Sequence, residues 1–368
     1  MADPRHVKLA QVLVRYSLNI QPGDKLLISS TSPVAAPLVR EAYREAIRAG
    51  ALVVNTRIGI EGLREILLRE STEEQLRHLP EISMQELEYY NTTLTILADE
   101  NTKALSGVDP QRMAIASQTR APWLERWMEL SAKGDLRWCL TLFPTHAYAQ
   151  DAGMSLTDYE EFVYGSGLLH EEDPVAGWRR VHEEQQRVAD FLGAHDEIRI
   201  VAPDTDITYR VAGRKWINAS GDKNFPDGEV FTGPIEDSVQ GHVRFTYPAV
   251  YAGNEVEDIR LTFENGRVIQ ASAGKGEEFL LSMLDQDEGA RYLGEVAFGL
   301  NYGIQKFSRN ILFDEKIGGT MHMALGSSYP ETGGKNQSGL HWDMICDLRE
   351  GKVYADGQLC YEGGRFTI

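Results

Sequence analysis

The apolar residues in the first half of the chain follow a helical spacing in some segments and form short continuous runs in others. Residues 7–18, 34–48 and 109–130 show the helical spacing, whereas residues 25–29 and 93–98 have the pattern of buried strands. Strands that alternate with helices are typical of a parallel sheet with helices packed against it. The pattern therefore predicts an α/β N-terminal domain with a mostly parallel sheet.

The second half of the chain changes to the two-residue period of β-strands. A long polar helix is predicted at residues 174–192, just before this change, and Gly193 follows it. The alternating segments are residues 197–202, 206–211, 215–219, 242–246, 256–263 and 268–273. We expect a C-terminal domain of the α+β class, mainly antiparallel, with one helix at residues 276–284. The predicted domains are residues 1–194 and 195–368.

The length and the charge of the chain limit what it can do. Its 368 residues exceed the size at which one hydrophobic core usually stops growing, which agrees with two domains. Acidic residues number 55 and basic residues 37, which gives a formal net charge of −18. A field of this sign attracts cations and repels phosphate backbones, so we expect no nucleic-acid partner. A solvated acidic surface is the simpler explanation for most of this charge.

The cysteines and the apolar runs indicate the compartment. Cys139, Cys346 and Cys360 are far apart and form no CxxC pair, which favours a reducing compartment and disfavours a thiolate zinc site. The first eight residues lack the apolar core of a signal peptide, and no apolar run is long enough to span a membrane. We therefore predict a cytoplasmic protein without a membrane partner.

Two histidines in the last fifth of the chain are candidates for chemistry. In His341-Trp342-Asp343, residues two apart on a strand face the same way, so an imidazole and a carboxylate point together. Such a pair can bind one metal ion or two neighbouring ones, although a hydrogen-bonded surface pair is the more common case. His322 lies in an apolar run at residues 320–326, where a histidine satisfied within the core is the simpler explanation.

Two glutamates occupy similar surroundings. Glu295 is bracketed by glycines and apolar residues, which indicates a buried charge that needs a partner. Glu229 follows the turn of segment 224–234 into a short apolar strand, or is simply exposed after that turn. Carboxylate and imidazole ligands at semi-buried positions of one domain suit a hydrolytic site with two metal ions. The chain has no GxSxG, HExxH or GxGxxG motif, which disfavours a serine hydrolase, a zincin and a dinucleotide-binding protein.

Four segments of the C-terminal half resemble the M29 family of metallopeptidases, the group of aminopeptidase T and PepS. They are residues 224–234 around Glu229, residues 293–297 around Glu295, residues 312–330 with His322 and Tyr329, and His341-Trp342-Asp343. Residues 7–27, 149–156 and 159–163 of the N-terminal half are also similar to family sequence. The resemblance therefore covers most of the chain, and it depends on four short motifs in a fixed order.

The resemblance implies a C-terminal catalytic domain that holds two divalent metal ions, which zinc, cobalt, manganese or magnesium could supply. The implied metal ligands are Glu229, Glu295, His322, His341 and Asp343. Glu295 would bridge the metals or act as the general base, and Tyr329 would stabilise the tetrahedral intermediate. The stretch from Glu315 to His322 is longer and richer in glycine than the family leads us to expect, so Glu315 is an extra ligand, a partner of His322, or neither. The family also implies a homodimer.

The leading hypothesis is a metallo-aminopeptidase that releases N-terminal residues from short peptides with a free α-amine. A dinuclear hydrolase of another amide or ester is a second hypothesis, and a non-catalytic metal-binding or peptide-binding relative is a third. The presence of both Glu295 and Tyr329 speaks against a pure binding protein, since binding alone needs neither.

Overall fold

The chain, described for residues 3–368 by a computed structural model, forms two compact units. The first unit runs to Trp178 and includes Gly221–Pro226. The second consists of Arg179–Ser220 and Asp227–Ile368. The division into domains at residues 194 and 195 stays a prediction.

Helices and strands are numbered in chain order. Helices α1 to α11 are Pro4–Val12, Ala36–Arg48, Leu63–Glu70, Glu73–Leu76, Glu81–Tyr89, Pro110–Lys133, His146–Asp151, Leu156–Ser166, Pro174–Gly193, Glu277–Leu284 and Ile311–Asp314. Strands β1 to β20 are Lys25–Ser30, Val53–Ile58, Thr92–Leu97, Arg137–Leu142, Glu197–Ala202, Thr205–Arg210, Ile217–Ala219, Asn224–Phe225, Glu229–Thr232, Gln240–Phe245, Ala249–Tyr251, Asn254–Val256, Ile259–Glu264, Arg267–Ser272, Leu293–Gly299, Thr320–Gly326, His341–Asp347, Lys352–Ala355, Gln358–Glu362 and Arg365–Phe366. Within residues 3–368, no helix is long and apolar enough to cross a membrane.

The first unit contains the predicted parallel sheet. Its five strands lie in the order β2-β1-β3-β4-β8, and every neighbouring pair is parallel. Local signals in the sequence set the ends of its longest helix, α6. The side chain of Asp109 accepts a hydrogen bond from the backbone of Gln111, Pro110 occupies the first turn, and the helix ends at Gly134 with φ of 76°.

The second unit contains two antiparallel sheets and the hairpin β11-β12. One sheet has eight strands in the order β14-β13-β10-β6-β5-β18-β19-β20, and the other has five in the order β17-β16-β15-β9-β7. Ile200 and Ile207 of the larger sheet belong to the same apolar core as Val296 and Met323 of the smaller one. The predicted fold class, a parallel α/β region followed by a mainly antiparallel α+β region, is confirmed.

Several local predictions were incomplete. Residues 256–263 do not form one strand, because the chain turns at Asp258, where φ is 54°, between β12 and β13. Residues 264–267 form the hairpin turn between β13 and β14, with positive φ at Asn265 and Gly266. The short strands β18 to β20 and the helices α7 and α8 were not predicted, since each is short and its pattern is interrupted by polar residues or glycine.

Candidate metal centre

The five predicted metal ligands lie on one face of the five-stranded sheet. On β15 and β16, Val296, Phe298, Met321 and Met323 face the apolar core of the second unit. Since side chains alternate along a strand, the residues between them face the opposite way. The ligands on that opposite face are Glu229 of β9, Glu295 of β15, His322 of β16, and His341 and Asp343 of β17.

A β-bulge at Gly294 turns Glu295 toward this face. In a regular strand, Leu293 and Glu295 would share a face, and Leu293 belongs to the apolar core. The pairing of β15 with β16 shifts register between Leu293 and Glu295, which places Leu293 and Val296 on the core face together. Glycine is required at the bulge, because a Cβ on Gly294 would lie 2.2 Å from the Ser327 carbonyl oxygen.

Both histidines are oriented by backbone carbonyls. His322 Nδ1 donates a hydrogen bond of 3.0 Å to the Glu315 carbonyl oxygen, and His341 Nδ1 donates one of 2.8 Å to the Ser327 carbonyl oxygen. A carbonyl oxygen only accepts, so each Nδ1 carries a proton. The Nε2 atoms are therefore the ones directed at the carboxylates. Histidines that ligate metals typically donate their second ring nitrogen in this way.

Glu295 lies between the two imidazoles. Its Oε1 is 3.3 Å from His322 Nε2, and its Oε2 is 3.4 Å from His341 Nε2. His322 Nε2 is also 3.7 Å from Glu229 Oε2, and His341 Nε2 is 3.6 Å from Asp343 Oδ1. One carboxylate oxygen thus faces each histidine, as in a carboxylate that bridges two ions.

The side chains form two groups with metal-ligand spacing, and within each group the ligand atoms lie within 4.8 Å of one another. The glutamate group is Glu229, Glu315 and His322, and the aspartate group is Glu295, His341 and Asp343. The structure therefore brings Glu315, whose role the sequence left open, beside two of the predicted ligands. The five predicted ligands are all members of these groups.

Two further charged residues of the site were not identified from the sequence. Lys316 is fully buried, and its Nζ is 3.5 Å from Glu229 Oε1 and 3.8 Å from Asp227 Oδ1. It also forms an ion pair with Glu315. Asp227 is buried as well. No local signal reveals Lys316, because in the sequence it directly follows Asp314 and Glu315 and has the pattern of an ordinary exposed charged turn.

The electrostatics of the cluster favour bound cations. Burial raises the pKa of Glu229 well above its usual range, against the opposing charge of Lys316. Burial raises the pKa of Asp343 to about 6. Burial opposes the charged forms of Glu295 and His322 too, but hydrogen bonds and neighbouring opposite charges together outweigh it, with pKa values of about 2 for Glu295 and about 10 for His322. Carboxylates held this close and dry require positive charge nearby.

The donor set fits a divalent metal ion. Carboxylate oxygens with imidazole nitrogens, and no thiolate, suit zinc, cobalt, manganese or magnesium. Within residues 3–368, the Oε2 atom of Glu229 is buried and has no hydrogen-bond partner. A carboxylate oxygen left without a donor, inside a group of ligands, is an available coordination position.

Tyr329 lies at the edge of this cluster. Its ring centroid is 5.1 Å from that of His341, in an edge-on arrangement, and 5.6 Å from that of Phe231. The residue is 44% exposed, unlike the ligands. Desolvation of its hydroxyl, followed by the negative charges of Glu295 and Asp343, raises the pKa of the phenol above its usual value. The hydroxyl therefore remains a proton donor at neutral pH.

Comparison with known proteins agrees with the geometry. The sequence pattern of the thermophilic metalloproteases (M29) matches residues 2–366. Aminopeptidase 2 of Geobacillus stearothermophilus is 33% identical over 95% of this chain and 94% of its own length, and aminopeptidase T of Thermus thermophilus is 28% identical over 95% of each. The structure of wild-type AmpT from Thermus thermophilus has a TM-score of 0.87 at 26% identity and covers 99% of both chains. The resemblance inferred from the four motifs is confirmed.

The bulge at Gly294 generates a testable prediction. We expect Gly294→Ala to misplace Glu295 and to lower both activity and bound metal at least about tenfold, because the added methyl group cannot fit beside the Ser327 carbonyl. The matched control is Gly165→Ala in α8, where φ is not positive either and nothing lies within 4 Å of the added Cβ. Equal activity and equal metal content in the two variants would show that the bulge does not position the site.

Proposed function

Since the chain belongs to the M29 family of metalloproteases, we propose that it is an aminopeptidase that releases N-terminal residues from short peptides at a centre of two divalent metal ions. The observation that carries this proposal is the position of Glu295, with one carboxylate oxygen toward the histidine of each ligand group. Five curated relatives, among them aminopeptidase PepS of Streptococcus thermophilus, are named aminopeptidases.

The two ligand groups would each hold one ion, and Glu295 would bridge them. When bound, the ions would polarise the scissile carbonyl and lower the pKa of the attacking water. Glu295 lies between the two groups, with Oε1 3.3 Å from His322 Nε2 and Oε2 3.4 Å from His341 Nε2. This position supports a role for Glu295 as a ligand shared by both ions, and the general base on the attacking water is the alternative role.

Tyr329 is positioned to act on the substrate rather than on the ions. Its ring packs against His341, and the residue as a whole is partly exposed at the edge of the cluster. We assign it the role of donating a hydrogen bond to the carbonyl oxygen as negative charge develops there. A substrate with a free α-amine is cationic at this end, which suits the excess of carboxylates around the site.

Removal of the metal ions tests whether hydrolysis depends on them. We expect chelation to abolish hydrolysis of aminoacyl anilides and a divalent ion to restore it, because water needs the metal to become a nucleophile near neutral pH. Peptides with a blocked N-terminus serve as the control substrate and should not be cleaved. Full activity of a rigorously metal-free sample would refute the proposal, and equal cleavage of the blocked peptides would favour a hydrolase of another amide.

The next prediction concerns Glu295. We expect Glu295→Gln to keep the fold but to lose about a hundredfold or more in turnover and part of its bound metal, because the amide carries no charge and offers only one acceptor oxygen. The control is Glu278→Gln on the exposed first turn of α10. Loss of turnover with both ions retained would identify Glu295 as the general base instead of a bridge. Wild-type turnover would remove it from the site.

A substitution at Tyr329 separates catalysis from packing. We expect Tyr329→Phe to lower kcat on the order of a hundredfold with little change in KM, because the lost hydrogen bond is strongest in the transition state. Tyr354→Phe, on the half-buried strand β18, is the matched control. If the ring only packs against His341 and Phe231, the Tyr329 variant will match wild type within about threefold, since it keeps the ring.

The assembly and the compartment are part of the proposal. We propose a cytoplasmic homodimer, the dimer by analogy with the family. Support for a reducing compartment comes from the three cysteines, which are buried, far apart in the sequence and without a CxxC pair. Light scattering at micromolar concentration should give twice the mass of the 41.2 kDa chain. A monomeric mass contradicts the dimer.

A further inference from the structure

The most unusual charge near the site is the ammonium of Lys316. Its side chain has no exposed surface, and its Nζ is paired with Glu315, with Glu229 at 3.5 Å and with Asp227 at 3.8 Å. Burying an ammonium costs several kcal/mol unless carboxylates surround it. The ion-pair partners of this buried ammonium are three carboxylates of the site. The ammonium therefore affects the charge and the position of those carboxylates.

The ammonium is distributed unequally between the two ligand groups. Two of its partners, Glu229 and Glu315, belong to the glutamate group. Across residues 3–368, neither Glu295 nor Asp343 of the aspartate group forms an ion pair with a lysine or an arginine. The aspartate group is therefore neutralised by histidines alone, whereas the glutamate group already contains a permanent cation.

The ammonium and the glutamate group share the carboxylates of Glu229 and Glu315. Lys316 faces Oε1 of Glu229 and Oε1 of Glu315, and Oε2 of Glu229 accepts no hydrogen bond. An ion in the glutamate group would share carboxylates with the ammonium and would be repelled by it at close range. An ion in the aspartate group would not share its ligands with the ammonium.

Charge balance explains why the ammonium is retained. Five carboxylates surround the cluster: Asp227, Glu229, Glu295, Glu315 and Asp343. Two divalent ions neutralise four of these charges, and Lys316 neutralises the fifth. With the lysine in place, the filled site carries no net charge from these groups, which is the least costly state for a buried cluster.

We propose that Lys316 is a positioning residue that makes the two metal sites unequal, so that the aspartate group fills first and the glutamate group fills second and more weakly. The ammonium holds Glu229 and Glu315 together before the second ion enters and lowers the affinity of that ion. This inference depends on the proposed dinuclear centre, and it adds the order of filling and the residue that sets it.

The experiment is a titration of chelator-treated protein with Co²⁺, followed by visible absorption and by calorimetry. Wild type should bind two ions per chain in two steps whose affinities differ at least about tenfold. His322→Ala, which disables the glutamate group, should keep only the tight step. His341→Ala, which disables the aspartate group, should keep only the weak one. Two equal steps in wild type, or a tight step in His341→Ala, would overturn the inference.

Substitution of the lysine tests the cause of the inequality. Lys316→Met should tighten the weak step about tenfold or more and move the tight step by less than about threefold, because the competing charge is gone. Lys316→Arg keeps the charge and should keep the two steps apart. If Lys316→Met leaves the separation unchanged, the lysine does not set it.

These outcomes distinguish the inference from the function on which it depends. Absence of any Co²⁺ binding to wild type would contradict the proposed function as well, whereas two equal steps would contradict only the role of Lys316. Circular dichroism of each chelator-treated variant checks its fold. Should Lys316→Met not fold, the titrations of wild type and of the two histidine variants still decide the order of filling.

Discussion

The site depends on one electrostatic constraint, which is that several carboxylates are gathered in a buried place where they repel one another. Glu229 is 6% exposed and Glu295 is 4% exposed, while Glu315 and Asp343 are only partly accessible. Carboxylates in such surroundings are stable only with cations beside them. Two imidazoles and one ammonium supply part of that charge. Divalent metal ions would supply the remaining positive charge, in agreement with membership of a metalloprotease family.

The fold of the second unit makes this arrangement possible. The five-stranded sheet has one face in the apolar core and carries the candidate metal ligands on the other face. Cross-strand pairing sets the spacing, since His322 lies opposite Ala297 and Asp343 opposite Ala324, so that small residues alternate with ligands on neighbouring strands. The bulge at Gly294 turns the side chain of Glu295 to the same face as the other ligands, while Leu293 stays in the apolar core. Backbone carbonyls then fix both rings.

Much of this could be predicted from the sequence, for identifiable reasons. The change of the hydrophobic period along the chain predicts the parallel and the antiparallel region. The alternation of side chains along one strand predicts that His341 and Asp343 point in the same direction. The pairing of Glu229 with Gly299 could not be predicted, because it joins strands about seventy residues apart. The positions of Glu315 and Lys316 within the site could not be predicted from the sequence either. They follow the short helix α11, and the direction of their side chains depends on tertiary packing rather than on period.

The most direct test of the account is the anomalous scattering of a crystal grown with Zn²⁺ or Mn²⁺. The account predicts two peaks in each chain, one among Glu229, Glu315 and His322 and the other among His341, Asp343 and Glu295, with a carboxylate oxygen of Glu295 next to each. A single peak, or two peaks that Glu295 does not join, would contradict the bridged centre on which the proposed function depends.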